Sequence, residues 1–280
     1  MNSRKLAGAS AASVGAATAV VALLLGTLSG NAGDDPRSSA FGIAAKGLVP
    51  IAPTPYVEAP PDDRKALLEV PGPKKDPIYI ALLKVEAEAF KSKATAVDVD
   101  IAKIIDAKLI EARCDHGHGE ASIIGGESHD GKVLPSSPWG GQELDLSPVL
   151  KIEFNRQHKD HDGLTVDALV IALLPGDHKG LAVAEKDLAD LKGLAPNLKV
   201  PTMKELKAEN PSKPTPTVAD LTSKIKSLNP GLTPKTNGDA LLEVVISSAT
   251  CSNEHKKEEG GPPKEAPKPE PVEGHLPVTH

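Results

Sequence analysis

Val85-Glu86-Ala87-Glu88-Ala89-Phe90-Lys91-Ser92-Lys93-Ala94-Thr95-Ala96-Val97-Asp98-Val99-Asp100-Ile101 is the stretch on which the fold turns. One parity carries Val85, Ala87, Ala89, Val97, Val99 and Ile101, and the other carries Glu86, Glu88, Asp98 and Asp100. Successive side chains of a strand point to opposite faces, so strict alternation marks a strand with one face buried and one wet. Alanine favours helix, and residues 86–90 alone could be read that way. A period of two held over residues 85–101 outweighs that propensity. The expectation is one long strand, bent or bulged near residues 91–93, where the inward parity turns polar. The four carboxylates imitate an acid–base pair, but their spacing is that of a wet sheet face.

The same pattern continues on both sides. Toward the N-terminus, Phe41, Ile43, Leu48 and Val49 suggest a strand over residues 39–51, interrupted at Gly47. Residues 52–77, rich in proline and charge, read as a long loop with a short strand at 66–70. Toward the C-terminus, residues 103–106 read as a turn. Strands are expected at 107–114, 121–124, 143–146, 150–154, 164–174 and 240–250. The last two are the most apolar: Val166, Ala168, Val170 and Ala172, then Leu242, Val244, Ile246 and Ser248. Some eight strands separated by turn signals predict an all-β fold, a β-sandwich.

Residues 176–239 interrupt the strands with a helical insertion. Leu181, Ala184, Leu188 and Leu191 lie at helical spacing over residues 181–194. Thr217 with Asp220 three residues on resembles a capping box. Val218, Leu221, Ile225 and Leu228 then form one stripe, ended by Asn229-Pro230-Gly231. Prolines 201, 211, 214 and 216 separate the helices. From residue 252 to 280 apolar periodicity is lost and Lys, Glu and Pro dominate, so a disordered tail is expected.

The N-terminus reads as a signal peptide over residues 1–32. Arg4 and Lys5 precede an uncharged apolar run, and Gly30-Asn31-Ala32 supplies the small residues of a cleavage site. Cleavage after Ala32 would leave a domain of residues 33–251 followed by the tail. The rival reading is an uncleaved membrane anchor, because the run is about long enough to span a bilayer. No Cys follows the run, so a lipoprotein anchor is not expected, and no later segment has the purity of a transmembrane helix. The mature chain is expected to be secreted or extracellular.

Composition bounds the rest. Net charge is -6, and loss of Arg4 and Lys5 makes the mature chain more acidic. No segment concentrates Lys and Arg without interleaved acids, so nucleic-acid binding is not expected. Aromatics amount to one Trp, two Tyr and three Phe, so the core must be aliphatic. Cys114 and Cys251 each close an apolar alternating segment. An even count in an exported chain predicts a disulfide between them, the alternative being two buried thiols. Closing a loop that long would contribute about 4–5 kcal/mol in the chain-entropy model.

Several pieces together resemble the actinobacterial choice-of-anchor P family of exported β-rich surface proteins. They are Ser39-Ala40-Phe41-Gly42-Ile43 with Pro53-Thr54-Pro55, the alternation of residues 85–113 ending in Cys114, and Asn155-Arg156-Gln157 before Gly163-Leu164-Thr165-Val166-Asp167-Ala168-Leu169. The last is Glu243-Val244-Val245-Ile246-Ser247-Ser248-Ala249-Thr250-Cys251. The resemblance covers roughly residues 39–175 and 240–251. In that family the middle of the Asn-x-Gln triplet is usually acidic, whereas here it is Arg156, and the insertion at 176–239 is unusual. The resemblance implies an exported surface domain and lends no catalytic residues. In the tail, Leu276, Pro277, Val278 and Thr279 match the start of a sortase signal. His280 stands where that signal has Gly, so the motif is degenerate.

Two clusters bear on chemistry. Asp115-His116-Gly117-His118-Gly119-Glu120 follows Cys114, and His158-Lys159-Asp160-His161-Asp162 lies further on. His116, His118, His158 and His161 are candidate metal ligands, since imidazoles and carboxylates at close spacing bind Zn²⁺. Against this, both clusters fall in expected loops, where polar residues need no ligand, and no HExxH or paired-Cys motif is present. No nucleophile elbow, P-loop or dinucleotide fingerprint occurs, so no catalytic residue and no cofactor are assigned. Trp139, in Pro138-Trp139-Gly140-Gly141, is a candidate binding platform, although a lone loop Trp more often caps a core edge.

The reading is an exported, non-catalytic cell-surface or secreted structural protein, with cell-wall components or a protein as partner. The alternative is a ligand- or partner-binding module that uses the helical insertion, for which an exposed Val218–Leu221–Ile225–Leu228 stripe would speak. A hydrolase would need a cleft converging on His116, His118 and His161.

Overall fold

The computed structural model describes residues 37–47, 50–70, 78–101, 104–128, 131–161, 163–209, 215–230 and 240–252. The expected signal peptide, the tail beyond Ser252 with its Leu276–Thr279 motif, and Asp162 lie outside the described residues. Ser252 itself closes a strand rather than opening the tail.

Among the described residues, twelve strands make two antiparallel sheets. The first contains β1 (Ser38–Gly47), β2 (Ile51–Ala59), β9 (Gln142–Ser147), β10 (Leu150–Lys159), β11 (Gly163–Leu173) and β12 (Leu242–Ser252), in the order β2-β1-β12-β11-β10-β9. The second contains β3 (Asp63–Val70), β4 (Ile78–Glu88), β5 (Lys91–Ile101), β6 (Ile105–Asp115) and β7 (His118–Ile124), in sequential order. The two-residue β8 (Glu127–Ser128) pairs with β6 beyond β7. The all-β sandwich expected from the alternation is therefore present, with twelve strands where about eight were read. The excess has three sources: residues 51–70, read as a strand end and a loop with one short strand, hold β2 and a longer β3; residues 85–101, read as one strand, fall on β4 and β5; and the two-residue β8 was not read.

Residues 85–101 are a hairpin, not one bent strand. β4 and β5 meet at a turn on Ala89 and Phe90, with Phe90 at φ 59. The two halves are self-complementary across the turn. Glu88 pairs with Lys91, Glu86 with Lys93 and Val85 with Ala94, so opposite charges face each other on the wet side while apolar residues meet on the dry side. Ser92 turns inward and donates its hydroxyl to Thr250 O of β12 (2.8 Å).

A second departure from strict alternation recurs in both sheets. In the first sheet, Gly42, Ser247, Ala168 and Asn155 occupy one row at which the cross-strand register skips a pair. Ser247 (φ 57) and Asn155 (φ 51) there adopt the left-handed conformation. In the second sheet, Ala81, Asp98 (φ 49) and Lys108 form the matching row. Each row switches the buried parity. On β5, Ala94 and Ala96 are buried before Asp98, and Val99 and Ile101 after it. On β11, Val166 points inward but Val170 and Ala172 lie on the outer face, contrary to the single parity read for that strand; Leu169, Ile171 and Leu173 replace them in the core. Such dislocations increase twist and curve a sheet.

The core between the sheets is aliphatic, as the composition required, with Phe154 the largest fully buried side chain. At one end it is tied by a disulfide between Cys114 of β6 and Cys251 of β12, both fully buried, with Cα atoms 5.6 Å apart. At that end β7 and β11 come very close: a Cβ on Gly119 would lie 2.2 Å from Val166 Cγ2.

The insertion closes the opposite end. It leaves β11 at Leu173 and returns at Leu242, which are direct register partners. After a 3-10 turn at Gly176–His178 come α1 (Glu185–Leu194), α2 (Met203–Glu209) and α3 (Val218–Leu228). Asp220 accepts the Thr217 backbone N–H (2.8 Å), the cap expected from the sequence, and Asp187 accepts that of Ala184 (2.7 Å). Leu188, Leu191, Val218, Leu221 and Ile225 join the core cluster of the sandwich. The stripe proposed as an exposed recognition surface is therefore buried, because burying it is what anchors α3. Leu181, read as helical, precedes α1 and is exposed, and α2 was missed because seven residues span too few turns to establish a period.

Candidate functional site

The outer face of the second sheet accounts for three of the four alternating carboxylates. Glu86 pairs with Lys84 (2.7 Å), Glu88 with Arg64 (2.7 Å) and Asp98 with Lys108 (3.7 Å). Cross-strand pairs such as Lys93–Glu111 (2.9 Å) continue the array. These are exposed ion pairs on a wet face, as read.

The outer face of the first sheet is different. Antiparallel register places Glu243, Ala172 and Lys151 in one row and Val245, Val170, Glu153 and Glu143 in the next. Beyond the dislocation come Phe41, Ser248, Asp167 and Arg156. These rows and the 3-10 turn frame a cleft of about 260 Å³, lined by Lys151, Glu153, Arg156, Asp177 and Glu243 with Val170, Ala172 and Pro175 as its apolar part.

Each cation in this cleft is shared by two carboxylates. Lys151 Nζ lies 2.8 Å from Glu143 and 3.0 Å from Asp177. Burial works against the ammonium, but the hydrogen bonds to Glu143 and Asp177 outweigh it and hold the Lys151 pKa above its ordinary value. Arg156 donates Nε (3.1 Å) and Nη2 (2.8 Å) to Asp167 Oδ2 and Nη2 to Glu243 Oε1 (3.0 Å). Burial opposes its charge too, and Glu243 and Asp167 again win, raising its pKa. Arg156 thus links β10, β11 and β12.

Glu153 sits between these two cations on β10. Among the described residues it makes neither a hydrogen bond nor an ion pair, whereas Glu143, Asp167, Asp177 and Glu243 all do. Burial pushes its carboxyl above the ordinary value; Arg156 and Lys151 pull it down, and Glu143 and Glu243 push it further up. Five carboxylates thus surround two cations, and three of them, Glu153, Asp177 and Glu243, line the cleft itself. Sequence reasoning did not single out this cleft; alternate charges on β10 look like any wet face.

The neighbouring turn carries Trp139, which is 69% exposed and so does not cap a core edge. The turn is held on both sides of the indole. Asn155 Nδ2 donates to Pro138 O (2.8 Å), Gly141 N to Asn155 O (2.9 Å), and Gln142 N to Trp139 O (3.2 Å). Asn155, 5% exposed, takes the left-handed conformation that Asn tolerates best among non-glycine residues. Gln157 Nε2 in turn donates to Asn155 Oδ1 (3.0 Å) and to Gly119 O of β7 (2.9 Å). The Asn-x-Gln triplet is thereby a structural clamp between the sheets.

The histidines do not assemble. His116, in the β6–β7 turn at φ 50, contacts the Asp115 carboxylate through Nδ1 and stacks on Phe90 at 5.5 Å. That contact holds the Asp115 carboxyl below its ordinary value. His116 and His118 line a shallow cleft with Arg113, Asp115 and Glu120, but His161 does not reach it. His158 and His161 are exposed on the other sheet, and among the described residues no three His, Cys, Asp or Glu groups converge as metal ligands. The expected metal set of His116, His118, His158 and His161 is therefore not brought together, because the two turns belong to different sheets. Among the described residues no helix is long and apolar enough to cross a membrane. No family model, curated protein or solved structure matches the chain.

Proposed function

We propose that the chain is an exported, non-catalytic structural module of the choice-of-anchor P kind, secreted or held at the cell surface. The observation that carries this reading is the buried Cys114–Cys251 bridge, which joins β6 of one sheet to β12 of the other. Such bridges form and persist in oxidising compartments. The ordering of signal-like N-terminus, bridged sandwich and Pro-Lys-Glu tail supports the same reading, with the tail as a spacer toward wall polymers or a protein partner. The pairing of the wet-face carboxylates and the dispersal of the histidines remove the motive for the hydrolase. Burial of the α3 stripe removes the motive for recognition through the insertion.

The full chain, expressed in an actinobacterial host, is expected in the medium or wall fraction, beginning at Gly33, with no thiol reactive toward alkylating agent before reduction. Retention in the cytoplasm with two alkylatable thiols overturns the reading.

A further inference from the structure

We propose that two copies of the chain pair through the outer face of the second sheet, stacked face to face about a two-fold axis. An apolar row crosses that charged face at one level. The register aligns Leu68 of β3, Leu82 of β4, Val97 of β5, Leu109 of β6 and Ile124 of β7, one residue from each strand. The row runs from edge to edge. Its ends are open to solvent, Leu68 at 73% and Ile124 at 55%, and its middle three are half-buried. A single exposed apolar residue needs no explanation, but a contiguous strip on a face otherwise given to ion pairs marks a contact surface.

The charges flanking the row identify the occupant. On one side lie Lys84, Lys93 and Arg113, with Glu86 and Glu111 among them. On the other lie Asp98, Asp100 and Asp106, with Lys108. A two-fold axis along the row lays each side over the other, and every member of the row meets its own copy. By register, Arg113 then falls over the second copy's Asp106, Glu111 over its Lys108 and Lys93 close to its Asp100, each twice by symmetry. Glu120 falls over the second copy's Glu127, but both are exposed at the margin, where repulsion is weak. Rotation about the other in-plane axis instead sets Lys93, Asp98 and Asp100 each against its own copy. The face is therefore complementary to itself in one orientation, which is what an isologous pair requires.

The size of the face fits a reversible pair. Five strands about 4.8 Å apart, over the stretch from Lys93 to Asp100 at about 3.3 Å per residue, give a footprint of about 600 Å². Two such footprints make about 1,200 Å², the lower end of specific interfaces. The proposal stands whether or not the chain is exported.

Sedimentation equilibrium of the full chain, from about 2 to about 500 μM, tests it. A monomer–dimer equilibrium with Kd of about 1–100 μM is expected. Ile124→Lys and Leu68→Lys, each at an exposed site, set two ammonium groups face to face and are expected to raise Kd at least about ten-fold. Glu185→Gln, on the exposed side of α1, makes the same change in charge as either and is expected to leave Kd unchanged. Arg113→Asp and Asp106→Arg are each expected to weaken the dimer, and the two together to restore it. These residues lie seven positions apart along β6, about 23 Å, so rescue can act only between copies. A chain that stays monomeric to about 500 μM overturns the proposal; loss of wall-polymer or lipid-vesicle binding by Ile124→Lys in such a monomer gives the row to that occupant instead. Self-association indifferent to Ile124→Lys and Leu68→Lys, or without rescue by the double charge reversal, overturns it as well.

Discussion

Glu153 and Asp177 line the same cleft, yet their carboxyls are shifted in opposite directions. The Lys151 hydrogen bond holds Asp177 below its ordinary value. Asp177 therefore contributes stability that is fully present above its unfolded pKa of about 3.9 and is lost as pH falls through the lower folded value. Glu153 is raised, chiefly by burial. Its ionised form is disfavoured in the fold, so it costs stability once pH exceeds its folded pKa, and the cost vanishes below an unfolded value of about 4.3. Glu153→Gln is accordingly expected to raise Tm by about 1–3 °C near neutral pH, with the gain fading as the medium is acidified. Differential scanning calorimetry across the acid range measures both features; a lower Tm at neutral pH contradicts them. Asn155 poses a separate test. Its replacement by Ala loses the hydrogen bond to Pro138 and puts at φ 51 a residue that lacks the short polar side chain by which Asn tolerates the left-handed region, expected to cost about 2–4 kcal/mol in urea unfolding. Asn155→Gly, which keeps the backbone freedom, is expected to recover part of that. The Asn-x-Gln triplet was visible in the sequence, but the left-handed backbone and the clamp to β7 were not, since neither has a compositional signature.

Elements read from periodicity survived where the period was local and unbroken, and failed where a single residue reset it. The alternation of residues 85–101 was real, but a turn at Ala89-Phe90 and a left-handed Asp98 each shifted its parity. The two halves still look like one strand because both wet faces carry charge. β11 was misread in the same manner: after Ala168 the valine parity passes to the outer face, where Val170 lines the cleft. For the insertion, spacing found α1 and α3 but not which way their apolar stripes faced. Leu221 is fully buried, so Leu221→Ala is expected to destabilise the whole domain by about 2–5 kcal/mol. If α3 were only loosely docked, the same change would leave the urea midpoint of the sandwich unmoved.

Across the molecule, the disulfide and the insertion secure opposite ends of one sandwich. The bridge joins residues 137 positions apart, so its removal releases a long loop in the unfolded chain. Cys114→Ala with Cys251→Ala is expected to lower stability by up to about 4–5 kcal/mol, less where the unfolded chain keeps structure. Equilibrium denaturation of the two forms under one set of conditions measures it, and equal midpoints would mean that the bridge constrains nothing. Period-two alternation, punctuation by Gly and Pro, the even cysteine count and the scarcity of aromatics belong to neighbouring residues or to composition. They were sufficient for the all-β class, the aliphatic core, the bridge and the place of the helical insertion. The cleft is another matter. Arg156 and Glu243 meet across 87 residues, and among the described residues Glu153 makes no hydrogen bond or ion pair because β9, β10, β11, β12 and the turn at Asp177 lie in one particular register. Register between distant strands is set by packing of the two sheets, so which charges are satisfied and which one is left over was decided by the tertiary structure alone.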